Sequence, residues 1–417
     1  MHRIVRASLP GLALLLALTA CQRAPAPAPA ANGDYRAQVW PLPAEAGSLA
    51  PELSRAPDGR LLLAWMNRTP GRRNALQFAS YDADAGWQSQ PRTIAVGQSL
   101  VVSGADIPHL RATPDGALWV QWLQADPDQG NGYHAVLARS RDGGMRWPQM
   151  TRIDHAGAGG EHGFAALWPV GRDRLGVAWL DGPAAPASAS ADPAAQASRL
   201  RATVFDQDLA RGPEVELDAH ACDCCQTAVA MTARGALLAW RGHAAGDVRD
   251  IRVRRFDGTA WGPTVTVHAD GWVVQACPVN GPAVAAQGEQ AVVAWYTEAG
   301  GTRAVRLARS TDAGDRFAAP VTVDSGPAVA GQVAVAMDPA QVWVAWLRED
   351  ADGQTVLVDR YSQDLARRLQ RLEVARTRAH GHAGGRPQLV ADARGAWLVW
   401  VDVRAGVPHL QGAQLLR

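Results

Sequence analysis

Apolar and polar positions recur seven times in one unit: an apolar strand, a polar turn holding Gly or Asp, and a second apolar strand ending in tryptophan. "PELSRAPDGRLLLAW", "PHLRATPDGALWVQW" and "RPQLVADARGAWLVW" are three copies, and the closing tryptophans are Trp65, Trp122, Trp179, Trp240, Trp295, Trp346 and Trp400. Spacings of 57, 57, 61, 55, 51 and 54 residues fit propeller blades, and no helical period competes. Two more strands follow each hairpin, as in 134–154 and 303–324, so each blade is expected to hold four strands, A to D. The last repeat stops after one strand, 408–417, while 35–43 precedes the first repeat without a partner. Joined, they would complete a shared last blade and leave no open sheet edge. The expectation is an all-β propeller of four-stranded blades, seven by this count with six the alternative, closed by pairing of the N- and C-terminal strands.

Two of the C-to-D turns carry a motif, Ser140-x-Asp142-x-Gly144-x-x-Trp147 and Ser310-x-Asp312-x-Gly314-x-x-Phe317, with a degenerate copy in "YDADAGW" at 81–87. In such a turn Ser and Asp bond turn amides, Gly takes a positive φ and the aromatic packs between blades. These residues resemble the Asp boxes (BNR repeats) of sialidase-like propellers, a resemblance spanning 35–417. It implies an exo-sialidase-type glycoside hydrolase, with an arginine triad that includes an Arg-Ile-Pro motif and a Tyr–Glu nucleophile pair. Here Ile107-Pro108 follow Asp106 where that arginine would stand, and Tyr296 with Glu298 is the nucleophile pair on offer. Propellers host unrelated functions, so the resemblance speaks to fold before activity.

Charge and cysteine usage change the picture next. The net charge is +1 and every basic residue is arginine, so no nucleic-acid footprint is indicated. Residues 1–20 read as a secretory signal with a basic start and an apolar run. Their end, Leu18-Thr19-Ala20-Cys21, resembles a bacterial lipobox, which implies lipidation of Cys21, a membrane partner through that lipid, and residence in the cell envelope. Gln22 after the cysteine implies the outer membrane. Residues 21–34 form a Pro/Ala-rich tether, and 35–417 the propeller.

Outside the cytoplasm disulfides are allowed, and four cysteines remain: Cys222, Cys224 and Cys225 in "HACDCCQT", and Cys277. Strand alternation puts the D-to-A loops and the B-to-C loops on one face of the propeller. Both cysteine loops are D-to-A loops, entering blades four and five. His155, His162, His380 and His382 enter blades three and seven, and His220 and His268 flank the cysteines. Two chemistries fit. Four sulfurs make two structural disulfides, or one bridge to Cys277 leaves thiolates that gather copper or zinc with nearby imidazoles. The expected function is a lipid-anchored envelope propeller whose Cys/His loop face binds a metal or small ligand. The alternatives are a sialidase-type hydrolase acting on a glycan, and a platform for envelope proteins with purely structural disulfides.

Overall fold

Strand B of each blade is sandwiched between neighbouring blades, so its sequence is apolar on both sides. Leu61–Asn67 is buried at every position. The seven closing tryptophans are all buried, with none above 8% exposure, and aromatic groups of this size dominate the packing between sheets. The computed structural model describes residues 33–68, 71, 73–88, 90–126, 132–155, 159–182 and 198–417. The signal segment 1–20, Cys21 with the tether to residue 32, and the low-complexity stretch 183–197 lie outside the described residues.

Seven antiparallel sheets are arranged around an axis, each with strand A innermost. In blade four the order is Ala228–Thr232, Gly235–Arg241, Ile251–Phe256 and Val265–Thr266. Blade one carries its outer strand in two pieces, Gly86–Trp87 and Arg92–Gly97, both paired with Asn74–Asp82. The last blade is closed as expected: Arg36–Val39 pairs antiparallel with the final strand Val407–Leu416, from Arg36 opposite Leu416 to Val39 opposite Ala413. All four side chains of that short strand are exposed, so its hold comes from the ladder and from the flanking Tyr35 and Trp40, each 3% exposed. Trp40 stacks on Trp87 and meets Tyr81 edge-on, joining the last blade to the first.

The Ser-x-Asp-x-Gly turns behave alike. Asp142 Oδ1 accepts from the amides of Met145 and Arg146, and Ser140 Oγ from Gly144 N. Gly144 has φ +83°, and a Cβ there would lie 2.2 Å from the Phe78 ring of the preceding blade. Trp147 packs edge-on against that ring. Ser310 and Asp312 repeat the bonds around Gly314, and Phe317 lies against a cluster that includes Leu237 of blade four.

A latch between blades was not foreseen. Trp240, Trp295 and Trp346 donate their indole N–H to Asp218, Asp270 and Asp324, each on or just after strand D of the preceding blade, 22, 25 and 22 residues earlier. Arg252, Arg306 and Arg348 sit on the same three carboxylates.

Candidate functional site

The D-to-A loops meet over the axis. Gln226, from the blade-four loop, donates to Ala105 O of the blade-two loop at 3.0 Å and accepts from Gly281 N of the blade-five loop at 2.9 Å. Asn280 Oδ1 accepts from Gln332 N at 2.7 Å, and Gln332 Nε2 donates to Val279 O and lies 3.4 Å from His382 Nδ1. This polar roof covers an axial cavity of about 130 Å³ lined by Glu52, His109, Arg111, Thr227, Arg386 and Gln388. Glu52 is buried, yet Arg111 and His109 beside it hold its carboxyl below the usual range against the cost of burial.

The cysteine cluster lies beside the roof. Arg241, itself buried, donates to the carbonyls of Asn280, Arg249 and Tyr296, and its own carbonyl accepts from Cys222 N at 2.9 Å. One guanidinium thus fixes the blade-five loop relative to the blade-four cluster. Cys224 and Cys277 form a disulfide with Cα atoms 6.1 Å apart, within the usual span. This is the bridge from the cluster to Cys277 expected from the sequence. It closes 53 residues and constrains the unfolded chain by about 4 kcal/mol.

Cys222 and Cys225 keep free thiols and are both buried. Their sulfurs lie 2.6 Å apart, and Cys222 Sγ is 3.9 Å from Cys224 Sγ. Arg249 Nη1 donates to Cys222 Sγ at 3.2 Å. The hydrogen bond with Cys225 lowers the Cys222 thiol, aided by Arg249 and Arg241, whereas burial pushes the Cys225 thiol up. Among the described residues, two sets of ligand atoms fall within 4.8 Å of one another: the sulfurs of Cys222, Cys224 and Cys225, and a more exposed set of Asp223, Cys224 and Cys277.

The histidines share the face but do not converge on the sulfurs; among the described residues none joins the cysteine sets. Most are paired with carboxylates: His155 with Glu214, His162 with Asp181, His268 with Asp270 and His380 with Glu349. His220 ends strand D of blade three and is exposed, and His382 lies against Gln332. Imidazoles on loops have taken the nearest acid rather than a common centre.

Tyr296 and Glu298 do lie together, with Tyr296 Oη 3.4 Å from Glu298 Oε2. Burial pushes the Tyr296 phenol up to about 12, with Glu298 adding to it, and its ring packs edge-on against buried Trp272. Asp106, in the place of the missing arginine, is buried under the roof and accepts from Phe164 N at 2.7 Å. Burial pushes its carboxyl up to about 7, with Glu161 adding to it. Tyr133 Oη is 3.5 Å from Glu161. Sequence alone flagged Asp106 only as a departure, and gave no signal for Arg241, whose role depends on carbonyls brought together by the loops, or for Arg249, whose acceptor is the Cys222 sulfur.

No protein-family model matches the chain, and no curated protein matches it. Solved structures resemble it in fold. Polysaccharide lyase Uly1 is 8% identical over 88% of this chain and 90% of its own, with a TM-score of 0.52. The sialidase of Trypanosoma rangeli is 12% identical over 87% of this chain and 59% of its own, with a TM-score of 0.47. A family PL25 ulvan lyase is 11% identical over 78% of each chain, with a TM-score of 0.44. The likeness to Uly1 is one of fold.

Proposed function

We propose that this chain is an exported, lipid-anchored envelope propeller whose D-to-A loop face binds a soft metal ion through the thiols of Cys222 and Cys225. One observation carries the reading: Cys222 and Cys225 are two buried cysteines outside the Cys224–Cys277 bridge and beside Arg249, and that bridge holds the loop that presents them. The donor set favours copper(I) over zinc. Structural zinc takes four ligands and draws on imidazole or further thiolate, and among the described residues no histidine joins these sulfurs. Thiolate-only sites of low coordination suit the softer copper(I) ion. Protein prepared from the periplasm and loaded with copper(I) under ascorbate should hold one ion per chain, lost in Cys222→Ser and in Cys225→Ser with melting unchanged. Equal copper in wild type and both variants would refute it.

A carbohydrate-directed reading has one observation of its own. The Asp106 carboxyl, raised to about 7, can be protonated near neutral pH and so serve as a general acid beside Tyr133 and Glu161. Turnover of sialosides or acidic polysaccharides, lost in Asp106→Asn, would support it; no turnover of either class would remove it.

A further inference from the structure

We propose that the four sulfurs form an internal disulfide relay with two pairings, one leaving the buried pair Cys222/Cys225 as the dithiol and the other leaving the surface pair Cys224/Cys277. The placement of the sulfurs supplies the route. Cys222 and Cys225 are 1% and 2% exposed, so dissolved thiols do not reach them, whereas Cys277 is exposed and Cys224 partly so. The buried pair therefore communicates with solvent through the bridge. Cys222 Sγ stands 3.9 Å from one atom of that bridge and 2.6 Å from Cys225 Sγ. The spacing Cys222-x-x-Cys225 also closes a ring wide enough for a disulfide, which adjacent cysteines do not offer without strain.

The exchange balances without an outside oxidant. The Cys222 thiolate attacks Cys224 Sγ; a Cys222–Cys224 bond forms, the Cys224–Cys277 bond breaks, and Cys277 leaves as a thiolate that takes a proton from water. Cys225 then gives a proton to water and attacks Cys222 Sγ, forming Cys222–Cys225 and releasing Cys224. One disulfide and two thiols are present before and after. The product sets Cys224 and Cys277 free beside Asp223, whose carboxylate oxygen lies within 4.8 Å of both sulfurs, creating a solvent-facing ligand set for a soft or borderline cation. Thiol pairs are thus passed between interior and surface by bond exchange alone. The relay needs no metal and stands whether or not the buried pair binds copper.

The test uses the metal-free mature protein, incubated with N-ethylmaleimide at about pH 8, then denatured and mapped as non-reduced peptides by mass spectrometry. Wild type should yield Cys222–Cys225 linked peptides with Cys224 and Cys277 both labelled before denaturation. Cys222→Ser cannot begin the exchange, and native labelling of Cys277 should fall at least tenfold. Cys225→Ser stops after the first step, giving a Cys222–Cys224 link with Cys277 labelled and Cys224 not. Wild type that keeps Cys224–Cys277 unlabelled throughout, or carries both bridges in every molecule, would overturn the relay, and that result needs no variant to fold.

Discussion

Trp40 packs across the seam between the last blade and the first, so Trp40→Ala tests how the ring is sealed. The residue follows the exposed N-terminal strand, bonds Gly412 O through its amide at 2.9 Å, and buries its indole between Trp87, Tyr81 and the Leu61–Leu63–Trp65 cluster. Truncating a fully buried tryptophan costs about 3–5 kcal/mol. Unfolding entropy is about 2.1 cal/mol/K per residue, or about 0.8 kcal/mol/K over the roughly 385 residues from 33 to 417. The expected loss in Tm is therefore about 4–6 °C for a cooperative melt. Val39→Ala, at a side chain 86% exposed on the same strand, should cost under about 0.5 kcal/mol and shift Tm by less than a degree. Far-UV circular dichroism followed with light scattering measures both. If the two variants melt together, within a degree of wild type, the indole does not seal the ring. Removal of residues 22–43 should go further, exposing Val407–Leu416 as an open edge and producing aggregation on heating.

Gly144→Ala should lose at least about 3 kcal/mol because its Cβ would enter the Phe78 ring at φ +83°, while Gly86→Ala, at φ +77° with open space around it, should cost about 1–2 kcal/mol of backbone strain; equal melting of the two would reject the clash. The His162–Asp181 pair, 2.7 Å apart, gives stability a pH window. Burial pulls the His162 imidazole down but the Asp181 bond outweighs it and the folded value is raised, so this contribution is full below about 6.5 and lost as pH rises through the folded value. Asp181 is burdened by burial yet lowered by His162 and Arg201, so its contribution is present above about 3.9 and lost as pH falls through its folded value. His162→Gln should flatten the decline in urea midpoint on the alkaline side of that window; an unchanged profile would show the pair to be neutral. Cys21→Ser should move the protein from the membrane fraction to the soluble periplasm, and continued attachment would reject lipidation at that sulfur.

The repeat was legible because strand B is buried on both faces and each hairpin closes on a tryptophan, which leaves a mark every fifty to sixty residues. Outer strands are faint by comparison: Arg36–Val39 is exposed throughout, and only its position in a ring with one strand missing identified it. The cysteines were legible as a cluster, and topology placed Cys277 beside them. Choosing Cys224 over its two neighbours required backbone direction within the loop, which spacing does not encode. The histidines share a face because loops emerge there, but sharing a face is weaker than sharing a centre. Glu214, Asp181 and Glu349 stand 3.0, 2.7 and 3.6 Å from their imidazoles; Glu214 and Glu349 are remote in sequence, whereas Asp181 faces His162 across a single hairpin. The Trp240–Asp218 latch was hidden for the same reason, since a tryptophan at a strand end reads as packing and its partner belongs to another blade.

Chain direction in the last blade fixes the face on which the N-terminal segment enters the propeller. The final strand runs from the Arg404–Val407 hairpin on the loop face to Leu416 on the opposite face, and Arg36 is paired with Leu416. The polypeptide therefore joins the propeller from the back, far from the cysteines and the polar roof. A protein held through Cys21 would be hung by that rear surface, on no more than about 40 Å of chain between residues 22 and 33. Its thiol-bearing loops would then look away from the lipid, toward whatever occupies the aqueous space beyond. So short a leash would limit how far an anchored protein could swing, and encounters would favour partners that come to it.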